Sequence, residues 1–358
     1  MTKKSFLAAI VGLIGLAGFA LVGCGGDDQP HSSGLVAEVV DSVSATVADH
    51  LDSSRRLPTT DTPTVDLAYR EPVAGVTSIA PFNDLLVKVP YIYAVYDGGL
   101  VVYDLAGQTH TVTPVDDNLR ALTLHASTVM AGGRQLYEVD GTELVPVEGD
   151  FSGEINDLCS FGARLMIGTS NGLYARDVLG TKVLLESVPV SALTPENEEA
   201  LWVGTDGHGL YRWDGADFNR RYLRRDTTLF DYVTALAFNH GHLYLGTDEA
   251  MYVYNGGNWA TVGFEEGLPD GTVRTIDATD WVVYVGTNNG LYSYFSDEVK
   301  PVDRFEADNI TALAVSGRRI FASGGQAGLV MKQGPSFRVL LDAPQRSDST
   351  LAAISMLQ

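Results

Sequence analysis

One segment recurs seven times at intervals of about 38 residues, and each copy reads as four short strands between glycine-rich turns. Together these observations predict an all-β fold, a β-propeller of four-stranded blades. The clearest copies are LMIGTSNGLYAR (165–176), LWVGTDGHGLYRW (201–213), LYLGTDEAMYVY (243–254) and VYVGTNNGLYSY (283–294). Weaker ones are IYAVYDGGLVVY (92–103), TVMAGGRQLYEV (128–139) and IFASGGQAGLVM (320–331). The apolar residue after the turn is Leu100, Leu136, Leu173, Leu210, Met251, Leu291 and Leu329, at spacings of 36, 37, 37, 41, 40 and 38 residues. Ahead of these anchors lie apolar segments such as INDLCSF, VSALTP, VTALAF and ITALAV, and behind them others such as KVLLES, FNRRYL and WATVGF. Val, Leu and Tyr suit strands, and the Gly, Asn and Asp between them break helices, which excludes a helical solenoid of similar period.

In chain order, residues 1–23 read as a lipoprotein signal peptide. Lys3 and Lys4 precede the apolar run FLAAIVGLIGLAGFALVG, and LVGC forms a lipobox ending at Cys24. The resemblance to bacterial lipoproteins implies cleavage before Cys24 and acylation of that residue. Residues 24–63 form a lipidated tether. It comprises the polar leash GGDDQPHSSG, a possible short helix with Leu35, Val36, Val39, Val40, Val43, Val47 and Leu51 on one side, and the Pro/Thr linker RRLPTTDTPT. Residues 64–358 form the propeller. VDLAYRE and GVTSIAPF before the first repeat, and STLAAISMLQ at the end, are spare strands; they predict a composite eighth blade built from both termini, with a seven-bladed ring as the alternative.

The GTDGHG loop invites a different reading, as a phosphate cradle. Such a loop needs a helix after its glycines, so that amide donors and the helix dipole meet the anion together. An aromatic strand, LYRW, follows instead. The loop is therefore the turn between the second and third strands of a blade, and its glycines are structural.

The copy EEGLPDGTVRTIDATDWVVYVGTNNGLYSY, Glu265 to Tyr294, resembles the two-component regulator propeller repeat of periplasmic sensor domains. It carries that family's GLP-x-x-x-V start, central W/Y-V-G-T and closing GLY. The resemblance spans roughly residues 83 to 341 and is strongest over 155 to 294. It implies the propeller fold and leaves function open, because members bind different ligands. Unlike those sensors, this sequence shows neither a transmembrane segment after the propeller nor a kinase-like region. A lipid-anchored propeller without them is similar in architecture to the accessory lipoproteins of outer-membrane assembly machines.

The chain carries 24 basic and 45 acidic side chains, and removal of residues 1–23 takes away two lysines and no acid. A field that acidic repels nucleic acid, so no nucleic-acid partner is expected. Only Cys24 and Cys159 are present, and Cys159, in INDLCSF, stands where other repeats carry Ala237 or Ala314. It reads as a small buried hydrophobe. The seven histidines are scattered over different segments, and GxSxG, HExxH, CxxC and calcium-loop patterns are absent. His240 and His242 in NHGHLYLG flank a tight turn rather than forming a metal pair. Acid pairs such as Asp116–Asp117 and Glu265–Glu266 read as solvated loop charges. No cofactor, metal or catalytic residue is expected. An enzyme acting on an extracellular glycan is the alternative, with its polar residues gathered from several blades at the central funnel.

The candidate contacts for a partner or ligand are His208, Arg224, Arg225 and Tyr232. FNRRYL is expected to be the outermost strand of its blade and RRDTTLFDY the crossover to the next, which places these side chains on the rim and the loop-bearing face. Arginine forks pair bidentately with carboxylates, and Arg and Tyr are favoured at interface hot spots. The expected function is a non-catalytic scaffold at the cell envelope, lipid-anchored through Cys24 and placed at the outer membrane. It would hold an envelope protein or a small extracellular ligand.

Overall fold

The computed structural model describes residues 81–221, 232–269, 271–303, 309–324 and 328–341, without the side chains of Arg220 and Arg221. These residues form seven antiparallel sheets, and the chain is a seven-bladed β-propeller. Six sheets are four-stranded meanders. The fourth, for example, runs through Val190–Pro195, Leu201–Thr205, Leu210–Trp213 and Phe218–Arg221, so FNRRYL supplies the outermost strand as expected. The first sheet consists of Asp84–Lys88, Tyr91–Asp104 and Thr109–Asn118. Its long middle segment folds back on itself, since Leu105 N donates to Pro90 O at 2.9 Å and Gly98, after Asp97, has φ +110°. Asp-Gly is the residue pair that favours so tight a hairpin. The first blade thus also contributes four extended runs.

The first strand of each blade is innermost, and these strands meet one another around the ring. The core lies between blades, in seven hydrophobic clusters, one in each gap. All seven anchor residues are buried in it, none more than 3% exposed. Cys159 is buried as expected, packed with Val190 and Leu193 of the next blade, and burial pushes its thiol well up.

The seventh cluster settles the blade number. Phe82, Ile92 and Val101 of the first blade pack directly on Phe321 and Leu329 of the seventh, and Phe82 N donates to Ser323 Oγ at 3.2 Å. The expected composite eighth blade would have to separate these residues, so the ring is the seven-bladed alternative. Apart from Pro81 and Phe82, the terminal segments from which that blade was read lie outside the described residues.

The repeat motif explains the packing. A Cβ on Gly132, Gly168, Gly204, Gly246 or Gly286 would come within 2.5 to 2.7 Å of the β-branched residue that opens the next blade, such as Val190 beside Gly168 or Val233 beside Gly204. Glycine stands there so that the blades can touch. The threonine after it is buried and closes the turn: Thr287 Oγ1 donates to Gly290 O and accepts from Asn289 N, both at 3.0 Å. Gly290, with φ +128°, supplies the conformation that a side chain rarely adopts.

The second blade, with AGGRQLY in place of GTxxGLY, lacks that threonine. Asp117 replaces it, accepting the backbone N–H of Arg134 and Gln135 at 2.8 and 3.1 Å and the Tyr137 hydroxyl at 3.0 Å. This corrects its reading as a solvated loop charge: the residue is buried in a strand. Burial alone would raise its carboxyl, but those donors hold it below the usual carboxylate range.

Candidate functional site

In such a meander, second-to-third-strand turns and blade crossovers share one face, and the remaining hairpin turns occupy the other. Residues 222–234 separate the outermost strand of the fourth blade from the first strand of the fifth, and of these 232–234 are described. His208 lies in the turn of the fourth blade on the same face. It is exposed, and its Nδ1 is 3.3 Å from Asp206 O. Tyr232, 56% exposed, forms an antiparallel bridge with Asp206, which sets it beside the turn that carries His208. The structure therefore brings these two candidates together. Arg224 and Arg225 lie outside the described residues, as does Cys24.

The other convergent group lies in the channel, where Asp84, Asp157 and Asp277 each stand on the innermost strand of a blade. Burial pushes Asp84 up to about 8, with the charge of Asp157 adding to the effect and that of Asp277 adding less. Burial likewise raises Asp157 to about 7 and Asp277 to about 6. Each spends both oxygens on backbone amides. Asp84 accepts from Leu85 N and from Leu122 N of the next blade, both at 2.7 Å, and Asp157 from Leu158 N and Leu193 N at 2.7 and 2.6 Å. Asp277 does the same with Ala278 N and Val315 N at 2.7 Å. Neighbouring side chains cap the matching carbonyls: Asn156 Nδ2 donates to Val190 O at 2.8 Å and Ser191 Oγ to Val233 O at 2.6 Å. The free edges of the inner strands are thereby closed from one blade to the next. Sequence reasoning passed over these aspartates, although each is the only acid in the innermost strand of its blade.

Among the described residues the histidines do not converge on one site. His125 Nδ1 is 3.0 Å from Ser160 Oγ, His240 stacks on Trp281 and His242 on Tyr244. Among the described residues no group of three metal-ligating side chains is present, and no helix is long and apolar enough to cross a membrane.

No protein-family model matches the chain, and no curated protein matches it in sequence. Solved structures do. The WD40 β-propeller domain of Doa1 superposes with a TM-score of 0.60 at 13% identity, over 72% of this chain and 95% of that one. The computationally designed protein Ika8 gives 0.55 at 16% identity, over 76% and 90%. The extracellular domain of BT4673 from B. thetaiotaomicron, assigned to a hybrid two component system, gives 0.53 at 17% identity, over 77% of this chain and 41% of that one. At these identities the likeness is one of fold. It agrees with the propeller architecture that the repeat implied and includes a sensor domain of the kind the motif resembles.

Proposed function

We propose that the protein is a non-catalytic binding scaffold of the cell envelope, a rigid propeller held by lipid on Cys24 at the outer membrane. It presents its loop face to an envelope protein or a small extracellular ligand. The observation that carries this reading is the pairing of exposed Tyr232 with the turn that carries His208; Arg224 and Arg225 precede Tyr232 closely in sequence. Exposed aromatic and arginine side chains on a fixed framework are the usual anchors of an interface. Likeness in fold to an extracellular sensor domain supports a role in binding. The glycan-enzyme alternative has less support, because the acids that gather in the channel are engaged as acceptors for the inner strands.

The test is capture of partners by the lipidated protein from detergent extracts, identified by mass spectrometry, for wild type and Arg224→Glu/Arg225→Glu. Charge reversal should weaken capture by roughly 2 kcal/mol, about thirtyfold, with unchanged thermal unfolding. Equal recovery of every partner at equal salt resistance would reduce the arginines to protection of a sheet edge.

A further inference from the structure

The face opposite the crossovers carries a second surface. On the sixth blade the hairpin turn Thr279–Val282 lifts Trp281 into solvent, 77% exposed, and across the same blade Phe295 is 53% exposed. The register that pairs Val283 with Tyr294 sets these two turns side by side. The turn that carries the indole is fixed through its backbone. Trp281 N and Val282 N both donate to Thr279 Oγ1, at 3.3 and 3.0 Å, and Asn239 of the fifth blade donates through Nδ2 to Thr279 O at 2.5 Å. The His240 ring, from the matching turn of the fifth blade, stacks on it with centroids 6.1 Å apart and planes at 24°.

An exposed indole on a turn held this way, with one ring already stacked on it, has less freedom to lose when a ligand arrives, which lowers the ordering cost of binding. Its surroundings select the ligand by charge. The hairpin turns at 239–242, 255–258, 279–282 and 295–298 contain no lysine or arginine. Glu298 is paired with Lys300 at 2.8 Å and the matching turn of the seventh blade carries Arg318 and Arg319, which leaves Asp280 and Asp297, among the described residues, as the acids without a paired cation beside Trp281. Elsewhere in the protein indoles carry cations: Arg164 lies 6.0 Å from the Trp213 ring and Arg212 5.9 Å from that of Trp202. No described lysine or arginine lies over Trp281 in this way.

We infer that the hairpin-turn face of the fifth and sixth blades docks an arginine-bearing segment of a partner protein. A guanidinium would stack on Trp281 against Asp280 and Asp297, and an adjoining apolar side chain would sit on Phe295. Cation–π attraction and carboxylate pairing act on the same group there. The surface is independent of the loop face around Tyr232, so either can fail alone.

The probe is a fluorescein-labelled (Arg-Gly)4 peptide, titrated by anisotropy into the full-length protein at low and physiological salt. A citrulline-for-arginine peptide and maltohexaose serve as comparisons. Saturable binding of the arginine peptide is expected, with at least a tenfold loss in Trp281→Ala, retention in Trp281→Phe, and a shallower salt dependence in Asp280→Asn/Asp297→Asn. Because Trp281 is exposed, its variants should melt like wild type. The inference is overturned if Trp281→Ala binds the peptide as well as wild type does, or if the citrulline peptide binds equally. Quenching of tryptophan emission by maltohexaose, lost in Trp281→Ala, without peptide binding would assign the platform to sugar and overturn it too.

Discussion

Asp84, Asp157 and Asp277 show how little of a residue's role lies in its type. In a loop each would be a solvated charge; on an innermost strand each ties two blades together by accepting an amide from the next one. The position also makes them titrate in the range of ordinary buffers. Their folded values, about 8, 7 and 6, lie above the ordinary 3.8, so the folded chain holds protons that the unfolded chain has released. Their contribution is fully present below about pH 4 and is lost as pH rises through the folded values. Each group steepens the decline by at most about 1.4 kcal/mol per pH unit. Thermal unfolding across pH 5 to 9 should therefore show a melting temperature that falls with rising pH. Asp84→Asn should flatten that slope between about pH 4 and 8, even though its amide group meets Leu122 N as donor to donor and lowers stability throughout. An unchanged slope would mean that Asp84 does not titrate there.

At the scale of the element, the second strand of a blade has two tasks that its G-T dipeptide divides. The glycine lets the next blade approach, and the threonine closes the turn that follows. Where the second blade lacks the threonine, an aspartate from the outermost strand of the first blade takes over, so the turn is closed by different chemistry. The glycine is kept in five blades, while the first carries Val95 and the seventh Ser323 at the matching ladder position. Gly204→Ala would place a methyl group 2.5 Å from Cγ1 of Val233, a stiff β-branched side chain that cannot swing away. A loss of roughly 1–3 kcal/mol is expected, read as a lower urea midpoint with unchanged slope. A wild-type midpoint would show that the gap between the fourth and fifth blades is looser than the structure has it.

At the scale of the molecule, seven equivalent gaps make a closed ring in which no sheet is left without a neighbour. The gap between the last blade and the first is filled like the others, by Phe82 and Ile92 against Phe321 and Leu329. A closed ring holds its two faces rigidly, and lipidation at Cys24 would add tethering to that rigidity. The proposed anchor makes a direct prediction. Cys24→Ser should leave an unprocessed precursor or a soluble protein after cell fractionation, because the leash behind it offers no other apolar attachment. A processed Cys24→Ser protein that stays in the membrane fraction would refute the lipid attachment.

The sequence by itself determined the propeller, its repeat, the buried anchors and the outermost strand Phe218–Arg221, because periodic burial writes itself into every copy. It also identified the glycines as structural, though it could not show that those of the G-T dipeptide serve contact between blades rather than turn geometry. Ring closure was decided by the tertiary structure alone, since a spare strand at a terminus carries the same local pattern whether or not a gap exists to receive it. The aspartate stitches of the channel, the turn closed by Asp117 and the stacking of His240 on Trp281 were decided there as well. Each joins residues from different strands or neighbouring blades, and a side chain's partner across such a gap depends on where the ring places it, which no local pattern of polarity records.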